Sequence, residues 1–330
     1  VEPLRGGAET LNRSDLKTAV FSLQLASLSM LDSNSESECN YSTEMRLPLD
    51  EIELWFQPVY QLRLGNVLHN EVLVRWRDDS GNLHVAKELL PFVQRVGLMC
   101  KLDDLVIDKV LEVMTQMPDI TFSVNLSSDS LQDPELQDRI QLGLKQAGVS
   151  PRHLGFEIKE EAIANNFEIA AAFMTGIKKL GCHVTIDSFM GEYLPLSRLQ
   201  SLPVDAVKID RTIVQNLHAG PGSRDLIGAI VQINTVWGWH CIAKGVGDAS
   251  TLKLVREIGI ECAQGYFLKS PESKPAKWVS VTLFVGRVLS ILVTLYVIKS
   301  AIGIDFFPDR HIWEVIGSAL EPLFKFFARR

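Results

Sequence analysis

Five polar residues stand at or near the ends of short apolar runs in this 330-residue chain. Asn125 lies in Thr121-Phe-Ser-Val-Asn-Leu-Ser, Glu157 closes Leu154-Gly-Phe-Glu, and Asp187 closes Val184-Thr-Ile-Asp. Lys208 sits in Val207-Lys-Ile-Asp210, and Lys244 closes Cys241-Ile-Ala-Lys. If the runs are parallel strands of one barrel, all five residues project onto its C-terminal face, where such folds assemble their sites. One charged residue at a strand end could serve only to cap the next helix. Five in register, mixing carboxylates, an amide and amines, point to a polar site. Zinc chemistry is not indicated, because the seven histidines have no ligand-like spacing. Cys39, Cys100, Cys182, Cys241 and Cys262 lie far apart without a Cys-x-x-Cys pair, the pattern of reduced core thiols in a cytosolic domain.

The elements that must position these residues are legible from Glu51 onward. Strand-like runs recur at 53–59, 67–76, 120–126, 154–158, 183–187, 205–209, 240–244 and 261–267. Between most of them lie helical periodicities such as Leu102–Leu111, Leu136–Leu144, Ile169–Leu180 and Leu226–Ile233. Strand and helix alternating in this way predict a mainly parallel α/β architecture, and eight strand candidates favour a closed barrel over an open sheet. His183 and His240 fall at strand starts and read as core or rim residues; Trp237 and Trp239 read as packing a helix end against the barrel.

Composition separates this body from its flanks. The chain carries 33 Lys and Arg against 40 Asp and Glu, a net charge of −7, and is 46 % hydrophobic. Wholesale disorder, a collagen-like fibre and a disulfide scaffold are excluded, and the acidic balance argues against DNA or RNA as a partner. Residues 1–44 read as a leader or linker: Asp32 to Ser42 is too polar to order itself, and Leu16 to Leu31 has the spacing of a short helix. From Lys274 onward eight basic residues face four acidic ones, so the tail is basic and the body before it strongly acidic. Val279–Ile298 is mostly apolar with one Arg287, and its length matches the ~20 residues that cross a bilayer. Its apolar side chains outweigh one central arginine on the insertion scale, which predicts a transmembrane helix; a helix packed on a partner is the alternative. Ile312, Trp313, Ile316, Leu320, Leu323, Phe324 and Phe327 share one helical face, as in an interfacial or dimerisation helix. The expected organisation is therefore a leader at 1–44, a barrel at 45–275 and a membrane-associated helical tail at 276–330. Lys274 and Lys277 favour the cytoplasmic side of a bacterial inner membrane for the barrel, while Lys299 and Arg310 weaken that inference.

Several short motifs in order resemble the EAL-domain cyclic di-GMP phosphodiesterases from about Met45 to Pro271. They are Trp55-Phe-Gln-Pro-Val-Tyr, Asn70-Glu-Val-Leu-Val-Arg75, Ser123-Val-Asn-Leu-Ser, Glu157-Ile-Lys-Glu160, Ile186-Asp-Ser-Phe, Val207-Lys-Ile-Asp-Arg and Gln264-Gly-Tyr. The resemblance implies a modified (β/α)8 barrel with one strand reversed. It also implies hydrolysis of cyclic di-GMP to linear pGpG by water activated between two Mg or Mn ions. Carried over by motif, Glu71, Asn125, Glu157 and Asp187 are the metal ligands, and Lys208 orients the nucleophilic water. Gln57, Arg75 and Gln264 are the ligand contacts, and Glu160 steadies the loop after the fifth strand.

The chain departs from the family pattern at this site. Glu-Ala-Leu is here Glu71-Val72-Leu73, which spares the carboxylate. The second residue of the Asp-Asp pair is Ser188, a far weaker ligand for a hard dication. Lys244-Gly-Val-Gly247 replaces Glu-Gly-Val-Glu and reverses a charge beside the metal site. Met190 and Glu192 stand where the family's loop has glycines, which predicts a penalty for any positive φ there. These changes predict a catalytically inactive protein that binds cyclic di-GMP or another protein, as a homo-oligomer or with a different partner. No cofactor is then required, and Mg or Mn enters only with residual activity. A weak phosphodiesterase and a membrane-anchored structural subunit are the alternatives. Lys244 is expected to fill the space of a missing metal, unless it is merely solvated in an abandoned site.

Overall fold

The computed structural model describes residues 51–78 and 80–276. The leader at 1–44, the apolar run Val279–Ile298 and the amphipathic segment 312–327 lie outside the described residues. No described helix is long and apolar enough to cross a membrane.

Nine strands are present among the described residues: β1 Ile52–Gln61, β2 Asn66–Arg77, β3 Leu83–Val85, β4 Phe122–Leu126, β5 Leu154–Lys159, β6 His183–Phe189, β7 Ala206–Ile209, β8 His240–Ala243 and β9 Cys262–Ala263. Strands β2, β4, β5, β6, β7, β8 and β9 follow one another in parallel, and β1 closes the circle by pairing antiparallel with both β2 and β9. The result is an eight-stranded barrel with one reversed strand. All eight expected strands are found; β3, a three-residue addition antiparallel to the end of β2, was not expected. Because β9 meets β1 only at Tyr60 and Gln61, the upper part of β1 is covered instead by the segment at Glu272, which exchanges backbone hydrogen bonds with Phe56.

The helical periodicities are realised in longer helices at Met99–Gln116, Leu136–Ala147, Phe167–Leu180 and Pro221–Trp237. In the first of these, Leu102, Val106, Val110 and Met114 are buried at helical spacing, forming a stripe against the outer face of the strands. Phe122, Val124, Phe156, Ile158, Val184, Ile186 and Val207 point into this layer from the sheet. Side chains alternate along a strand, so the residues between them face the lumen. Its floor is the apolar cluster Val59, Ala206, Ile242 and Cys262. Two residues further toward the mouth on each of those strands lie Gln57, Lys208, Lys244 and Gln264. Trp237 and Trp239 pack edge-to-face at the end of Pro221–Trp237, with Trp239 buried, and His183 and His240 are exposed on the rim. Burial raises the thiol pKa of Cys182 and Cys262 to about 12, as suits inert core cysteines.

One close approach fixes the floor of the mouth. Gly265, next to Gln264, lies against the backbone of Val246: an added Cβ would stand 2.1 Å from the Val246 carbonyl oxygen and 2.4 Å from its nitrogen. The Val246 amide donates to Gln264 O at 3.1 Å, so the loop bearing Lys244 and the strand bearing Gln264 are clamped together. Gly265→Ala is expected to destabilise the barrel by about 3 kcal/mol, since backbone cannot yield as a side-chain tip can. Equilibrium urea unfolding measures this directly, and an unchanged midpoint would contradict the contact.

Candidate functional site

Lys208 is the centre of the lumen. It is wholly buried, and its Nζ donates to Glu71 Oε2 at 2.6 Å and to Glu157 Oε2 at 2.7 Å. Glu71 stands on β2, Glu157 on β5 and Lys208 on β7, and the closed barrel brings them together across its interior. Gln264 Nε2 donates to Glu71 Oε2 at 2.6 Å and Asn125 Nδ2 to Glu71 Oε1 at 3.0 Å, while Ser123 Oγ donates to Glu157 Oε1 at 2.5 Å. Burial alone would raise the Glu157 pKa; Lys208 and then His69 outweigh it and hold the carboxyl far below its usual range. Burial likewise works against the Lys208 ammonium, but Glu157, Glu71 and Asp187 keep its pKa well above the usual lysine value.

A second cluster stands nearer the mouth. Lys244 Nζ donates to Asp187 Oδ1 at 2.6 Å and to Ser188 Oγ at 3.3 Å, and Ser188 Oγ donates to Asp187 Oδ2 at 3.0 Å. The Lys244 side chain is 22 % exposed and that of Asp187 4 %. Lys244 is thus bonded to a buried carboxylate, not merely solvated. Ser188 adopts φ +52°, the one positive value outside glycine among the described residues. The strain expected at Met190 and Glu192 is therefore absent there; it sits at Ser188, where β6 bulges away from β7 between Ile186 and Phe189, and Gly191 takes the next positive φ.

The loop that follows is held by one side chain. The buried Glu160 carboxylate accepts from the backbone amides of Met190 and Gly191 on one oxygen and of Tyr193 and Leu194 on the other, at 2.8–3.2 Å. Glu160 steadies the loop after the fifth expected strand, as the motif implied; that strand is β6 once the short β3 is counted. On the rim, Gln57 Nε2 donates to Lys269 O at 3.1 Å, so its amide is engaged with the closing segment. The half-buried Arg75 guanidinium lies 5.9 Å from the Trp55 ring centroid and donates to Val74 O; burial lowers its pKa, opposed by Tyr266. Gln264, expected at the ligand, is buried and bonded to Glu71. Ser123 and His69 complete the lumen and were not singled out from the sequence. Counting back by two from Asn125 and Glu71 along their strands would have found both.

Residues 42–271 match the EAL domain family. The chain belongs to the EAL domain family. Among curated relatives, the cyclic di-GMP phosphodiesterase NbdA of Pseudomonas aeruginosa is 28 % identical over 241 residues, covering 71 % of this chain and 31 % of the relative. The cyclic di-GMP phosphodiesterase PdeR of Escherichia coli is 27 % identical over 67 % of this chain and 34 % of its own length. The chain thus spans about a third of each of these relatives. Among solved structures, the FimX EAL domain from Pseudomonas aeruginosa bound to c-di-GMP superposes with a TM-score of 0.64 at 28 % identity, covering 68 % of this chain and 92 % of that one.

The metal centre that the family implies does not fit this donor set. Both oxygens of Glu71, of Glu157 and of Asp187 accept from N–H or O–H groups, and two ammonium groups lie among the three carboxylates. Each carboxylate oxygen still has a second lone pair where it accepts one bond, so what opposes a hard dication here is the charge of the two ammonium groups and a neutral Ser188 hydroxyl beside Asp187. Among the described residues no three of His, Cys, Asp and Glu are grouped so as to hold a metal ion. Glu71, Asn125, Glu157 and Asp187 come together as the motifs implied, but as acceptors and donors in a lysine-centred network.

Truncating the central cation tests this arrangement. Lys208→Met leaves two buried carboxylates unpaired and is expected to cost roughly 3–5 kcal/mol at neutral pH. The folded pKa of Glu157 is depressed, so its stabilisation is full above the ordinary carboxyl range and drains as pH falls through the folded value. That of Lys208 is raised, so its share is full below the ordinary lysine range and is lost as pH rises through the folded value. Urea midpoints should separate wild type from variant most at neutral pH and less near pH 3, where the orphaned carboxyls protonate.

Proposed function

We propose that this chain is a catalytically silent EAL module that binds cyclic di-GMP and passes its occupancy to a protein partner. The observation that carries the reading is the Lys244 ammonium at 2.6 Å from Asp187 Oδ1, with the neutral Ser188 hydroxyl as its second contact. Hydrolysis of a phosphodiester in this family calls for a Lewis acid and an activated water beside Asp187, and an ammonium supplies neither. Binding asks less. The FimX EAL domain, 28 % identical, has been solved bound to c-di-GMP, and Arg75 on the rim suits a phosphate. In this reading the apolar run Val279–Ile298 tethers the barrel to the cytoplasmic face of a bacterial inner membrane.

Calorimetric titration of cyclic di-GMP into the full chain, with chromatography for linear pGpG in the presence of Mn, tests the assignment. Saturable binding with no pGpG above a buffer control is expected. Product formation would restore the phosphodiesterase reading, and neither heat nor product would move the function to protein contacts alone. Fractionation of expressing cells with an alkaline carbonate wash should leave the full chain in the pellet and release a chain ending at Ala276.

A further inference from the structure

The two lysines of the lumen differ in one respect. Lys208 is closed off: its side chain has no exposure, and it lies between Glu71 and Glu157. Lys244 stands nearer the mouth, partly exposed, and its ammonium has three N–H donors of which Asp187 and Ser188 engage two. Of the two ammonium groups among the carboxylates Glu71, Glu157 and Asp187, Lys244 is the one with exposed surface, so it is the one that an anion entering the mouth can reach.

We propose that Lys244 is a resident cation, which neutralises Asp187 and offers its remaining N–H to a phosphate oxygen, so that a phosphodiester binds here without any divalent ion. Three features of the geometry support the assignment. The Lys244–Asp187 bond is short and its carboxylate partner buried, so the ammonium is fixed in place before a ligand arrives. Ser188 contributes a hydroxyl that accepts from Lys244 while donating to Asp187, which orients the pair without adding the negative charge that would draw in a metal. The Lys244 backbone is held as well: its amide donates to Ile209 O at 3.2 Å, and the following Val246 is clamped to Gln264 and Gly265. A fixed point charge of this kind serves binding by lowering the repulsion of a polyanionic ligand, and it polarises nothing.

The inference rests on the silent-binder reading for its ligand, and its test keeps the two apart. Binding of cyclic di-GMP to the full wild-type chain is measured in EDTA and again in excess MnCl2, and the free Mn signal is followed by electron paramagnetic resonance as protein is added. The expected result is a dissociation constant equal in the two buffers within about twofold, a Mn signal unchanged by wild type, and a tenfold or greater weakening in Lys244→Gln. The paired variant Ser188→Asp with Lys244→Glu should depress the Mn signal, because it restores two carboxylates beside Asp187. Capture of Mn by wild type, a tenfold gain in nucleotide affinity on adding Mn, or undiminished binding by Lys244→Gln would each overturn the proposal. If cyclic di-GMP gives no heat in any buffer the binding reading fails, and with it the phosphate role of Lys244. The Mn signal, which needs neither nucleotide nor variant, still decides whether wild type excludes the metal.

Discussion

An ammonium sealed inside a barrel between two carboxylates is the constraint on which the rest of this structure depends. A charge in the interior is costly unless it is paired and hydrogen-bonded on every side, and the lumen is built to meet that demand. Glu71 and Glu157 approach Lys208 from β2 and β5, Asn125 and Ser123 occupy the carboxylate oxygens that remain, and Gln264 shares Glu71 Oε2 with Lys208. Pairing of this kind contributes less to net stability than an apolar core of the same volume would. What it supplies is uniqueness, because a slip of one residue in the register of β2, β5 or β7 would turn a charge into the helix-facing layer.

The architecture around that centre follows from the same alternation. Apolar residues on one parity of each strand face the helices, and on the other parity an apolar floor gives way within two residues to polar groups. The reversed β1 fits this scheme because a strand running the opposite way still alternates: Val59 joins the floor and Gln57 lies above it. Closure over β1 is completed by the chain around Glu272, and Asn70 secures that segment by bonding the backbone of Ala276 in both directions.

Much of this was legible in the sequence because burial and period are local properties. Eight strands, the long helices between them and the order of the motifs could be read from runs of Val, Ile, Leu and Phe, and the polar residues at their ends fell on the face that carries the site. Motif positions gave Glu71, Asn125, Glu157, Asp187 and Lys208 as neighbours, and they are neighbours. What could not be read was who bonds whom. Gln264 turns to Glu71 and Gln57 to Lys269 O, and both choices depend on distances across the lumen that no spacing along the chain encodes. The location of strain was equally hidden. Glycine losses at Met190 and Glu192 drew attention to the loop, whereas the bulge between Ile186 and Phe189 places the left-handed residue at Ser188. His69 escaped because it lies outside the motif that begins at Asn70, and β3 because it is only three residues long.

The backbone at Ser188 has a consequence for how this protein could change. A left-handed conformation is several-fold more hospitable to Asp or Asn than to most other residues, because their short side chains bond locally. The bulge therefore keeps a shape in which a carboxylate is at least as comfortable as the hydroxyl now present. Gains of function usually tax stability, yet at this position an acidic residue would relax the main chain while adding a ligand. The path back toward metal chemistry is accordingly downhill in conformational terms, and what stands against it is the ammonium of Lys244.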